Sequence, residues 1–359
     1  MNNHISSLQQ IQELQTQQKT RFYNLGMFPS QRFHAFLPYV REDDNIYFSA
    51  LIAFGLMRLE SFFSEEEKQL AQTIRQKVIQ NYPLYESVNK AHLYNFYRTN
   101  PPGQYPNGYV FSKLGRFQLP TDADDTVMIH LTQESSPEIA LQVKAHLEKH
   151  ANRTKVQNTL KIYQNLGAYS VWFGSPKMPI EFDFCVLCNI LYFVKHYELP
   201  WTTQDEDSLT YICSVLQQKQ HISQPFRVSY IYPRAAIMLY HVTRLMQSFE
   251  IGRLEELKQG IRQDILCIYH HKSTTLPEKI LLAISGMRLG FYLEIPGLDW
   301  QSKDAKNLAF FYAPMLAGTS SGILDALASY RLFQILYRSE AFYTFLEMEY
   351  HLLHNFFCN

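Results

Sequence analysis

Three aspartates fall within four residues in Pro120-Thr121-Asp122-Ala123-Asp124-Asp125-Thr126, a segment set between aromatic and apolar residues. If these carboxylates leave bulk water they cannot all stay ionised, because like charges a few ångströms apart push at least one pKa upward. One then keeps its proton. A neutral carboxylic acid in an apolar cup is suited to protonating a base as weak as an isolated carbon–carbon double bond. The same residues also make a good helix start, with Thr121 or Asp122 as N-cap and the following acids favoured by the helix dipole. Capping needs one acid rather than three, and a helix start also offers backbone N–H groups to a ligand. The two roles can coexist.

Other segments carry chemistry of their own. Arg41-Glu42-Asp43-Asp44-Asn45 places an acidic pair, Asp43 and Asp44, before an apolar run. Such a pair caps a helix, or holds Mg²⁺ jointly with the phosphate oxygens of a diphosphate. Capping is the simpler expectation, since Tyr47 and Phe48 stand where a further aspartate would be needed. Asp183 lies among aromatic and aliphatic residues, where a carboxylate must be hydrogen-bonded or functional, and Asn189 follows on the same expected helix. Cys185 and Cys188 have Cys-x-x-Cys spacing, but no second pair or histidine cluster completes a zinc site, so structural thiols are expected. Arg227 and Arg234 suit an anionic head group or an ordinary surface pairing. The pair His270-His271 lacks metal-site spacing, and there is no Gly-rich phosphate loop. With 24 tyrosines and 25 phenylalanines, rings facing a cavity would stabilise cations through their negative faces, while most must simply pack the core.

The elements that position these residues are helical. Apolar residues recur at three and four in segments such as Asn45–Ser61, Ser64–Gln80, Glu138–His150, Glu181–Tyr197, Ile231–Met246, Arg253–Tyr269, Pro277–Leu289, Gly322–Leu336 and Glu340–Phe356, and strand alternation is hardly visible. Proline, glycine and Ser-Thr clusters mark the boundaries between them. At roughly 25 residues per helix and connector, the chain holds about a dozen to fourteen helices. That number suits an all-α fold, a single α/α toroid (an α6/α6 barrel). In such a toroid, helix starts at one end share a rim, which would bring Asp43 and Asp124 to one cup. Residues 1–20 read as a polar, Gln-rich N-terminal extension, and 21–359 as the toroid domain.

Bulk properties narrow the class. The 359 residues are 46% hydrophobic and 18% charged, enough for a large core. Lys plus Arg and Asp plus Glu balance at 33 each, so nothing in the overall charge points to nucleic acid. The five cysteines read as buried thiols of a reducing compartment, which favours a cytoplasmic location. The N-terminus lacks a secretory signal, and the longest apolar run falls short of the ~20 residues needed to span a bilayer. Peripheral contact with a membrane surface stays open.

The string Asp122-Ala123-Asp124-Asp125-Thr126 resembles the Asp-x-Asp-Asp-Thr signature of class II terpene cyclases, the group of squalene–hopene cyclases and class II diterpene cyclases. The resemblance implies a proton-initiated cyclisation in an α/α-barrel domain, part of terpenoid biosynthesis. Asp124 would be the general acid and Asp122 and Asp125 its tuning neighbours. No cofactor is needed for the acid step, and Mg²⁺ enters only if the substrate is a diphosphate. Tyr105, Asn107, Tyr109, Trp172, Asp183, Asn189 and Arg234 are the expected substrate contacts. The Gln…Gly-x-Trp repeats of squalene cyclases are missing but for an echo at Gly167–Trp172. Familiar members place the cavity between two barrels, so here loops, a second copy of the chain or a partner domain would supply the closing wall. The alternatives are an α/α-toroid carbohydrate-active enzyme, with paired acids across an open groove, and a non-catalytic binding scaffold.

Overall fold

The computed structural model describes residues 4–100, 102, 119–153, 156, 158–173, 180–297, 299–300, 308–314, 327 and 330–358. The described helices are α1 (His4–Leu14), α2 (Tyr47–Arg58), α3 (Glu65–Ile79), α4 (Ala123–Thr132), α5 (Pro137–Lys149), α6 (Phe184–His196), α7 (Thr203–Gln217), the short α8 (Gln220–Ser223) and α9 (Pro225–Val228), α10 (Ala235–Ser248), α11 (Gly252–Tyr269), α12 (Leu276–Arg288) and α13 (Glu340–Cys358). Four strands join them: β1 (Ser30–His34), β2 (Val40–Asp43), β3 (Phe311–Pro314) and β4 (Gln334–Arg338).

Two kinds of helix sort into two layers. In α6, every residue from Phe184 to Val194 is buried, and α2 and α10 are similarly apolar almost all round. A helix without a polar face must be enclosed on all sides. These helices pack in sequence, α2 on α4, α4 on α6, α6 on α10, α10 on α12, α12 on α13 and α13 back on α2. The contacts close a ring. By contrast α3, begun by the Ser64–Glu67 capping box, buries only a stripe of Glu67, Ala71, Ile74, Arg75 and Val78. It lies outside the ring with α5, α7 and α11. Helix α1 joins this outer layer on α13 and α3, with Leu8 and Ile11 buried.

The sheet corrects the all-α expectation, while the closed ring of inner helices with its outer layer leaves the toroid reading standing. Its strands run β2-β1-β4-β3, antiparallel throughout. β2 leads into α2 and β4 into α13, so the sheet sits at the end where the inner helices begin. There Phe311 of β3 packs on Tyr47, Phe48 and Tyr337. The helical reading of Gly322–Leu336 is corrected at its C-terminal end, where β4 begins at Gln334. Its partner is β1, with Phe33 opposite Leu336, about three hundred residues away in sequence. Pairing that distant leaves no local trace. No helix among the described residues is long and apolar enough to cross a membrane.

Closure of the ring requires close approach of α2 and α13. A Cβ built on Gly55 would overlap the Phe345 ring. Gly55→Ala is therefore expected to cost about 1–3 kcal/mol, read as a lower denaturant midpoint. An unchanged midpoint would show that these two helices do not meet there.

Candidate functional site

The aspartate cluster opens α4 and divides its labour. Asp122 is the N-cap, its Oδ1 accepting from the Asp125 N–H at 2.8 Å. The Asp122 and Asp125 carboxyls face each other in a fully buried setting. Burial pushes both upward, and Asp125 furthest, because the neighbouring Asp122 charge adds to its burial. Of the two, Asp125 is therefore the more strongly biased toward its protonated form.

Asp124 turns the other way, into the ring. Its Oδ1 accepts from the Asn189 amide at 2.6 Å and its Oδ2 from the Tyr232 hydroxyl at 2.5 Å. Asn189 in turn accepts from Arg244 through its own Oδ1. A guanidinium offers donors only, so the Asn189 carbonyl must face Arg244 and its NH₂ must face Asp124. Asp124 Oδ1 is therefore always an acceptor. Any proton on this carboxyl sits on Oδ2, against Tyr232. Burial raises Asp124 above the ordinary carboxylate range, with Tyr232, Asn189 and Arg244 partly opposing. The Tyr47 hydroxyl faces the same pair without a well-formed hydrogen bond of its own.

An acid needs a complementary base, and one lies beyond Tyr232. His241 of α10 has its ring centroid 5.1 Å from that of Tyr232 and stacks on Phe310. Burial, helped by Arg244, holds its pKa well below the usual histidine value, so it is neutral. Its Nδ1 lies 2.9 Å from the Ile237 carbonyl, which can only accept, so Nδ1 carries the hydrogen and Nε2 a bare lone pair. That nitrogen has no partner among the described residues.

The remaining expected residues are distributed around this core. Asp183 caps α6 through Cys185 N and Val186 N and accepts from Ser229 and the Ile231 N–H. Burial lifts it to about 7, and the nearby Asp124 charge adds to the rise. Trp172 pairs with the Asp122 backbone and donates to Glu181 at 2.7 Å. Asp43 takes Tyr97 and Asn45 at 2.9 and 2.8 Å with Arg32 at 3.6 Å, and Asp44 takes Arg98 at 2.7 Å. Both members of that pair are turned to cations of their own chain, and Asn45 supplies the side-chain oxygen that Phe48 N of α2 bonds. Among the described residues no three His, Cys, Asp or Glu side chains gather as a metal site. Cys185, Cys188 and Cys213 are buried, whereas Cys267 is exposed on α11. Tyr105, Asn107 and Tyr109 lie outside the described residues.

Arg234 lies apart from Asp124, in a cleft of about 900 Å³ beside the sheet. There it bonds the Tyr312 hydroxyl at 3.0 Å and pairs with Glu278 at 3.7 Å. The wall is apolar at Phe33, Ile237, Leu308 and Leu336. Phe310 and Phe311, between the cleft-lining Ala309 and Tyr312, turn their rings to Tyr232.

Tyr47, Tyr232, His241 and Arg244 escaped the sequence reading. For the last two a signal existed: a histidine and an arginine three residues apart within the apolar run Ala235–Met246 must be buried, and so hydrogen-bonded or functional. Nothing local marks the tyrosines among so many aromatic residues.

A carboxyl whose folded pKa exceeds its unfolded value of about 3.9 contributes stability that is whole below pH ~4 and is lost as pH rises through the folded pKa. Asp125 belongs to this kind. In Asp125→Asn, the amide mimics the protonated acid and does not titrate. The variant should therefore gain on the wild type as pH rises from 5 to 8, by about 1.4 kcal/mol for each pH unit crossed while the folded acid keeps its proton. Denaturation series across that range test this, and a constant difference would contradict it. No protein-family model matches the chain, and no curated protein matches its sequence.

Proposed function

We propose that this chain is a class II terpene cyclase-like isomerase, which starts cyclisation by protonating an alkene of a polyprenyl substrate, hydrocarbon or diphosphate, with Asp124 as general acid. One observation carries the reading: the Asn189–Arg244 arrangement confines the Asp124 proton to Oδ2, on the side where Tyr47, Tyr232, Phe310 and Phe311 converge.

The chemistry balances without a redox partner. The Oδ2–H bond breaks as the alkene π pair forms a new C–H bond, leaving a tertiary carbocation and the Asp124 carboxylate. Arg244, one residue removed through Asn189, offsets that new charge, and the phenol of Tyr232 donates to it. Aromatic faces stabilise the cation as it migrates. His241 Nε2 then removes a proton to give the product alkene, and Tyr232, which touches Asp124 and neighbours His241, offers the route by which the proton returns. An acid with a raised pKa beside a base with a lowered one is the pairing such a cycle needs. The apolar cleft, separated from the site by Phe310 and Phe311, would admit the chain of the substrate.

The test is incubation with a panel of prenyl diphosphates and squalene-like hydrocarbons, analysed for cyclic products. Asp124→Asn keeps Oδ1 toward Asn189 and puts an NH₂ where the acid proton was, so the fold should survive. Turnover should fall by roughly 10²–10⁴-fold or more, the usual contribution of a general acid. Cyclisation that persists at the wild-type rate in this variant would eliminate Asp124 as the donor.

A further inference from the structure

Two loops at the outer end of the sheet bring five exposed large apolar residues together. Phe36, Leu37 and Val40, around the β1–β2 turn, are 65%, 54% and 57% exposed, and Tyr330 and Leu332, ahead of β4, are 64% and 48% exposed. Among the other described residues, exposed large apolar side chains fall singly or in pairs along the sequence, as at Leu141 of α5 or Phe356 and Phe357 of α13. A cluster of this kind marks an interaction site.

His34 fixes the two loops against each other. Its Nδ1 accepts from Phe36 N and Leu37 N at 3.1 and 3.0 Å, so its Nε2 carries the hydrogen and donates to the Leu332 carbonyl at 2.9 Å. The apolar tips are thereby held side by side rather than left to collapse separately.

Charge selects the partner. The tip segments, Ala-Phe-Leu-Pro-Tyr-Val-Arg (35–41) and Tyr-Arg-Leu-Phe (330–333), contain no carboxylate, and their charges are Arg41 and Arg331. Both arginines are exposed, and the Arg41 guanidinium lies over the Tyr39 ring at 5.4 Å. Apolar and aromatic tips flanked by arginine fit the interface of a bilayer, where rings and aliphatic groups enter the headgroup–acyl boundary and guanidinium groups meet lipid phosphate.

We propose that this end of the sheet docks on an anionic phospholipid surface, with Phe36, Leu37, Val40, Tyr330 and Leu332 entering the interface and Arg41 and Arg331 binding headgroup phosphates. The cleft is continuous with this face, since Phe36, Val40 and Arg331 also line it. Docking therefore turns the cleft mouth to the bilayer, so that a lipophilic ligand passes between them without crossing water. The surface is independent of whether Asp124 acts as an acid.

Flotation of the full chain with vesicles tests it. The wild type should float with phosphatidylglycerol-containing vesicles at about 0.1 M salt, and less with pure phosphatidylcholine or in 1 M salt, where charges are screened. Phe36→Ser with Leu37→Ser should weaken binding tenfold or more. Arg41→Gln with Arg331→Gln should remove roughly fivefold per charge on anionic vesicles only. Leu141→Ser, on the outside of α5, should bind as the wild type does. A Trp placed at Leu37 should shift its fluorescence to the blue on adding anionic vesicles, with unchanged circular dichroism. A wild type that stays in solution, or a tip double variant that floats equally well, overturns the proposal. So does concentration-dependent self-association abolished by the same tip variant without lipid, which would make this face a contact between copies of the chain.

Discussion

The side-chain amide of Asn189 decides which oxygen of Asp124 can carry a proton. It is caught between Arg244, which can only donate, and Asp124, which must then receive. The amide has one orientation that satisfies both, and that orientation reserves Asp124 Oδ2 for any proton. Arg244 is itself fixed by the rings of Phe54 and Tyr240, 5.0 and 5.7 Å from its guanidinium carbon. Four inner helices, α2, α4, α6 and α10, thus converge on the protonation state of one carboxyl.

A second buried knot closes the other side of the ring. Glu349 of α13 receives Arg288 of α12 at 2.5 Å, Tyr240 of α10 at 2.7 Å and Arg58 of α2 at 3.4 Å. Arg288 also donates to the Tyr240 carbonyl and lies 4.1 Å over its ring. The arginines hold Glu349 below the ordinary carboxylate range in spite of complete burial. Two carboxyls inside one ring are therefore shifted in opposite directions: Glu349 is lowered because two guanidinium groups touch it, while Asp124, which meets its guanidinium only through an amide, is raised by burial. Tyr240 borders both arginines and links the two groups.

How much of this could be read in the sequence follows from which contacts are local. The inner helices announced themselves because residues such as Phe184–Val194 are apolar almost without interruption, and the α4 start because Asp122 precedes two further acids. Asn189 and Asp183 drew attention as polar groups in an apolar run, and both are fully engaged in hydrogen bonds. The sheet was invisible, since β1 and β4 lie at opposite ends of the chain and each is only five residues long. For Asp43 and Asp44 the residue types admitted either metal or cap. What settled them into ion pairs was Arg32 and Arg98, whose positions only the tertiary structure supplies. Tyr232 reaches Asp124 across 108 residues, and a tyrosine before a proline gave no hint of it.

Proton-initiated chemistry at this site requires Asp124 to be a neutral acid at neutral pH. Difference infrared spectroscopy of wild type against Asp124→Asn reads this directly, through the carbonyl stretch of a protonated carboxylic acid. Such a band is expected in the wild type at pH 7, shifting on deuteration and lost in the variant. A difference spectrum showing instead the loss of an ionised carboxylate at pH 7 would contradict a protonated Asp124.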